Sequence, residues 1–411
     1  MKPTTAALIF FFLCTTTIAL GQFSFDGELR PRAQVRNGYL RLRNNGDSPA
    51  IFVAQRTRLN AAYQKSDLFD VYISVQDVRV WGDQDQLVDE ASIGLFQAWG
   101  EVKLADKFRL KIGRQELVYD QGYLLATLNW REAGRSHDLA LFKYTDSTFT
   151  AHLGLAHNQN SASLANSEFT NDYYKNMHFL WLHKKWAKTK ASLMVINRGL
   201  QRSDNTIQYT QTIGPEIQFS SGLFTIDGAF YYQTGQDTLL RDVSASLMKA
   251  EVSYQASTKL TFRAGVVSLS GTDQDAQGND NHTFDILYGY RHRHYGHMDY
   301  FYLGFTPPTG LRNFFAKASL KPTEKLTLNA DLHFFSTEAQ LAADGPLQAE
   351  TAYLGTELDL DFKLKLYDEV SLAGGYSHMF ATEDMERLRG GDRNLLSNWV
   401  WLQINFKPKF F

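Results

Sequence analysis

The chain has 411 residues and a formal net charge of −2, with 44% hydrophobic, 14% aromatic and 21% charged residues. That composition excludes a disordered or low-complexity chain, and the near-neutral charge excludes the broad basic field that nucleic-acid binding needs. The single cysteine, Cys14, falls in the first segment, so disulfide frameworks, thiolate metal sites and cysteine catalysis are excluded from the remainder.

Residues 1–21 combine Lys2, an apolar run from Ala6 to Cys14, and small residues Ala19 and Gly21 ahead of Gln22, which is the layout of a secretory signal peptide. Leu13 before Cys14 is too large for a lipoprotein cleavage box, so export without a lipid anchor is expected. Beyond residue 21 no apolar run reaches the ~18 residues of a transmembrane helix. Residues 22–411 are expected to form one domain.

That domain is written almost entirely in period-two alternation, the pattern of strands with two unlike faces. In 223–233, Phe224, Ile226, Phe230 and Tyr232 alternate with Thr225, Asp227, Ala229, Tyr231 and Gln233. The same phasing runs through 326–335 and 352–366, in runs longer than the ~5 to 6 residues usual for soluble strands. Tight polar links are expected near 65–68, 105–107, 145–147, 187–188, 220–222, 256–258, 322–324 and 367–368. Longer connections fall near 36–50, 83–90, 117–134, 158–173, 200–204, 236–240, 271–310, 338–349 and 382–396. Short and long connections alternate, which predicts an all-β, 18-stranded antiparallel transmembrane barrel of the bacterial outer membrane with both termini periplasmic. Barrel-assembly machinery and the lipid bilayer are its expected partners, and Phe410 and Phe411 close the chain in the aromatic manner of such substrates. A barrel of this size is expected to hold an aqueous channel. A soluble sandwich or propeller is the rival reading, and no blade-length repeat supports it.

The polar phase lists the lumen wall. It places Asp26, Glu28, Arg30 and Arg32 on the first strand, Arg56 and Arg58 on the second, Glu101 and Lys103 on the fourth, and Arg109 and Lys111 on the fifth. Later strands add Glu216, Asp227, Lys249, Glu251, Arg263, Lys317, Asp331, Glu357, Asp359, Asp361, Lys363 and Lys365, with Lys407 and Lys409 at the end. Basic residues outnumber acidic ones on this wall, and the excess lies in the first five strands. Guanidinium forks bind carboxylates bidentately, and fixed positive charge lowers the barrier for anions. The same residues would also suit a charge network that only holds a lumen open.

Three stretches go beyond generic barrel character: VQDVRVWG (75–82), LKIGRQELVYDQGYLLATLNWREAGRSHDLALFKY (110–144) and TFDILYGYRHRHYGHMDYF (283–301). Their Arg-x-Trp-Gly, Gly-Arg-Gln, Arg-x-x-Asp and Phe-Asp segments resemble the alginate export family of outer-membrane proteins. The resemblance implies a monomeric porin passing an alginate-like polyuronate, polysaccharide or oligosaccharide, with Arg79, Arg114, Arg131, Arg135 and Asp138 at or near the constriction. Arg79 shares parity with Val71, Ile73 and Val75, so a lumenal Arg79 requires a bulge near 75–77. Arg114 is likewise in phase with Ile112 and requires a bulge at Gly113. The alternative is a general or nutrient-specific porin for small anionic or sugar solutes.

No cofactor is expected. His292, His294 and His297 stand among Arg291 and Arg293, cations that oppose a metal ion, so solvated or hydrogen-bonded imidazoles are expected in a long loop folding into or over the pore mouth. Asp273, Asp275, Asn279 and Asp280 resemble half of a calcium loop without its bidentate glutamate. An enzyme is not expected: Ser136 with His137 and Ser377 with His378 are adjacent, and adjacent strand residues face opposite ways.

Overall fold

A computed structural model describes residues 22–87, 92–171, 173–301, 309–342 and 351–411. The expected signal peptide, 1–21, lies outside the described residues. In chain order the strands are β1 (Gln22–Asn37), β2 (Ala50–Lys65), β3 (Phe69–Val80), β4 (Ile93–Ala105), β5 (Phe108–Gln115) and β6 (His137–Thr145). They continue as β7 (Phe149–His157), β8 (Asn176–Lys185), β9 (Thr189–Gln201), β10 (Ile207–Ser221), β11 (Phe224–Gln236) and β12 (Asp242–Gln255). The circuit ends with β13 (Leu260–Leu269), β14 (Leu311–Leu320), β15 (Leu326–Ser336), β16 (Tyr353–Lys365), β17 (Val370–Ala381) and β18 (Asn398–Phe406). Each strand pairs antiparallel with its sequence neighbours, and β18 pairs with β1 from Leu29↔Phe406 to Asn37↔Asn398, closing an 18-stranded barrel. Closure leaves no edge, so every strand backbone is satisfied within a lipid environment.

The alternating sequence sets the two faces. On β11, Phe224, Ile226 and Phe230 are exposed outward, while Asp227, Ala229, Tyr231 and Gln233 are buried inward. The chain ends meet at the short-turn rim: Phe25 N–H donates to the Phe411 carbonyl at 2.9 Å, and the Phe25 and Phe410 rings lie 5.1 Å apart.

The two expected bulges are not where parity asked for them. β3 stays in continuous register with β2, from Ala54↔Val80 to Lys65↔Phe69. The extra residue is instead in β4, where Ser74 faces Gln97 but Val75 faces Leu95, leaving Phe96 between them. Phe96 and Gln97 are both buried, and the Arg58 guanidinium lies over the Phe96 ring at 3.5 Å. Gly113 does take φ +122, where an added Cβ would meet the Ala98 carbonyl at 2.3 Å, yet pairing of β5 with both neighbours runs through it unshifted. A short helix α1 (Glu383–Arg389), capped by Thr382 accepting from Met385 N–H, occupies a connection in which the sequence reading placed only loop.

The interior departs from an open aqueous bore. The segments 116–136 and 270–301 fold inward and bring Leu117, Tyr123, Leu125, Phe284, Ile286, Tyr295, Met298 and Tyr300 into one buried apolar cluster with wall residues such as Leu139, Phe179 and Leu247.

Candidate functional site

The basic wall of β1 and β2 meets the first inward loop. Cross-strand register sets Glu28 against Arg58 and Arg30 against Arg56, so the guanidiniums stack in rows on the inner face. Arg30 donates to the carbonyls of Asn129 (2.8 Å) and Arg131 (3.2 Å), and Arg32 donates to that of Trp130 (3.0 Å) and pairs with the Glu132 carboxylate. Arg56 binds Glu28 at 2.7 Å and reaches the Glu132 carbonyl at 3.4 Å. Arg58 binds Gln76 at 2.9 Å and reaches the Ala133 carbonyl at 3.5 Å, while Gln76 donates to the same carbonyl at 3.0 Å. All four arginines are buried. Terminal nitrogens of each are engaged by successive loop carbonyls, the unsatisfied acceptors of a backbone that has left the sheet.

The two inward loops hold each other. Leu125 and Tyr288 form a parallel bridge, with Tyr288 N–H donating to the Leu124 carbonyl (2.9 Å), Ala126 N–H to Tyr288 (3.0 Å) and Tyr290 N–H to Gly122 (2.8 Å). Gly289 permits this approach, since a Cβ there would sit 2.0 Å from the Tyr123 carbonyl. Loop 270–310 is tied to the wall by Arg198–Asp285 (2.7 Å), by Gln233 donating to the Asp285 carbonyl (2.7 Å) and by Met298 N–H donating to Glu357 (2.7 Å).

Between these loops and the wall from β10 to β16 lies a cavity of about 630 Å³, lined by Arg263, Arg293, Lys317, Asp227, Asp331 and Asp361 among others. The inner face is therefore divided into a β1–β2 side filled by loop backbone and a hollow side with exposed arginines and buried or half-buried carboxylates.

A family model described as "Alginate export" matches residues 22–394. The chain belongs to the alginate export family. Its fold is shared with solved porin-type structures at low identity. Pseudomonas aeruginosa OpdQ aligns with TM-score 0.61 and 12% identity over 95% of this chain and 98% of that one. Acinetobacter baumannii OccAB4 aligns with TM-score 0.62 and 12% identity over 95% and 99%. A BenF-like porin from Pseudomonas fluorescens Pf-5 aligns with TM-score 0.62 and 13% identity over 95% and 100%. No curated protein matches the chain. Family and fold together make it an outer-membrane channel.

In this alginate export family member the residues expected to line the pore or its constriction separate into four groups. Arg30, Arg32, Arg56 and Arg58 face inward but are covered, and Arg131 and Arg135 belong to the covering loop, Arg135 donating to the Tyr288 carbonyl. Arg109 and Lys111 face inward near the short-turn end, Arg109 bound to Glu101 (2.6 Å), Asp70 (2.9 Å) and Asp67 (3.1 Å), Lys111 over the Trp99 ring at 3.7 Å. Arg79, Arg114 and Asp138 are on the outer phase: Arg79 pairs with Asp77 at 2.7 Å beside Gln55, and Arg114 pairs with Asp138 at 2.8 Å in register with Ala98. Without a flip in β3 or β5, the expectation that these three line the lumen is corrected. Arg263 lines the cavity, together with the expected wall residues Asp227, Glu251, Lys317, Asp331 and Asp361.

The expected hydrogen-bonded state holds for His292, on Asp299 at 2.9 Å, and for His294, on the Gln121 carbonyl at 3.1 Å, and the rings are packed as well. His292 stacks on Trp130 (4.1 Å, 8°) and on His297 (4.7 Å, 14°), and His294 stacks on Tyr123 (3.9 Å, 15°). Sequence reasoning missed Trp130, Gln121, Tyr123 and Arg293 as interior groups, because loop residues carry no period-two phase to say which way they face.

Proposed function

We propose that this channel passes small hydrophilic, charge-bearing solutes, of the size of one or two sugar rings, and not an extended polymer. The observation that carries the reading is the ladder of loop carbonyls on Arg30, Arg32, Arg56 and Arg58, which removes the richest basic surface of the wall from contact with solute. What is left to a solute is the hollow side, where Arg263 and Lys317 on β13 and β14 are flanked by carboxylates on β11 and β12 and on β15 and β16. Single exported barrels with short turns at one rim place that rim in the periplasm, so both termini are assigned there and the inward loops enter from outside.

A second reading, passage of an anionic polysaccharide such as a polyuronate, is favoured by family membership. It requires loop 116–136 to leave the arginines so that they can bind carboxylates in its place. Liposome swelling with uronic acid monomers, dimers and longer oligomers separates the two. Swelling that falls off sharply beyond the dimer supports the small-solute channel. Equal swelling with long oligomers supports the polymer conduit.

A further inference from the structure

The hollow side carries charges left without counter-charges. Arg263 on β13 and Arg293 on loop 270–310 are exposed, line the same cavity, and neither hydrogen-bonds nor ion-pairs with any described residue. Lys317, in register with Arg263, is already paired with Asp331 at 2.7 Å. Two carboxylates of that cavity also lack a cation. Asp227 accepts the Gln121 and Gln218 amides at 2.9 and 2.8 Å, and Asp361 accepts the Asn329 amide at 2.8 Å. Neither has a basic nitrogen within 4.0 Å among the described residues.

These opposite charges do not neutralise one another because the barrel holds them apart. Strands spaced ~4.8 Å put the Asp227 strand about 10 Å from the Arg263 strand on one side and the Asp361 strand about 14 Å away on the other. Side chains reaching inward shorten both gaps to the length of a small molecule. A pure anion satisfies Arg263 and Arg293 but leaves its other end beside a carboxylate. A pure cation meets the converse. A solute with a carboxylate at one end and an ammonium at the other satisfies both, and charge-assisted hydrogen bonds at each end set its orientation.

The geometry points to a recognition site for zwitterionic solutes of amino-acid to short-peptide size, the carboxylate held by Arg263 and Arg293 and the ammonium by Asp361 or Asp227. This rests on the small-solute reading above and names its substrate class. The test uses the purified full-length barrel and three probes: Ala-Ala, its N-acetylated form, which is only an anion, and its C-amidated form, which is only a cation. Binding is read by calorimetry in detergent and passage by single-channel current in planar bilayers. Ala-Ala is expected to bind roughly tenfold tighter than either capped form, the difference one charged hydrogen-bonded end makes. Arg263→Gln, and independently Arg293→Gln on the loop, should bring Ala-Ala to the affinity of its amide. Asp361→Asn should bring it towards that of the acetylated form. Equal binding of the three probes, or tightest binding by the acetylated form, overturns the site while leaving the channel intact. Discrimination by calorimetry in a barrel that conducts nothing keeps the site and removes the channel reading.

Discussion

The indole of Trp130 and the imidazole of His292 lie 8° from parallel with ring centroids 4.1 Å apart, which joins the two inward loops at their tips. The Arg32 guanidinium lies over the same indole at 3.9 Å, and Trp399 meets it edge-on at 5.2 Å. One side chain thus couples the β1 wall, loop 116–136 and loop 270–310.

Trp130→Ala removes that coupling. Truncating a fully buried Trp costs about 3–5 kcal/mol; the partly buried Trp130 should cost less, drawn from loop docking and not from the barrel ladder. The expected result is a folded barrel with raised and noisier single-channel conductance and faster protease cutting within 116–136. A quiet wild-type current would show that the stack does not hold the loops.

Arg56→Met tests the ladder at its centre. It leaves the Glu28 carboxylate without its 2.7 Å partner and two loop carbonyls without their shared donor, a loss of about 3–5 kcal/mol for a broken buried pair. Loop protection against proteolysis should fall and conductance rise. Lower anion selectivity with unchanged conductance and protection would mean that Arg56 serves solute directly.

Arg79→Glu and Arg114→Glu should leave reversal potentials unchanged, since both side chains are on the outer phase. A shift towards cation preference in either variant would place that residue in the conducting path.

The strand circuit was legible in the sequence because lipid on one side and water or loop on the other impose a two-residue period on every strand. All eight tight links and nine longer connections fall where the alternation breaks. The basic wall was legible for the same reason: Arg30, Arg32, Arg56 and Arg58 follow the phase. Their occupation was not, because carbonyls of a loop are invisible to side-chain patterning. The β4 bulge was sought one strand away, since parity in β3 showed a conflict between Arg79 and its neighbours but not that Arg79 could remain outside, paired with Asp77.

Acid should loosen the second loop. Burial holds His292 below its ordinary value near 6.5 despite the opposing pull of Asp299, and holds His294 well below it, with Arg293, Lys317 and Lys249 acting in the same sense. Both imidazoles are thus neutral when docked, and the undocked loop binds more protons. Docking stability is fully present above about pH 6.5 and declines as pH falls towards the depressed values. Current noise should grow from pH 7.5 to pH 5, and His294→Phe should blunt the change. Noise independent of pH would mean that the loop stays docked regardless of these protons.

Whether the basic wall serves the loop or the solute is decided most directly by single-channel conductance after replacing residues 118–134 with a short Gly-Ser link. If the arginines hold a loop that narrows the channel, conductance rises severalfold and anion preference increases as Arg30, Arg32, Arg56 and Arg58 become exposed. Unchanged conductance and selectivity would contradict the assignment of loop 116–136 as the element that narrows the lumen.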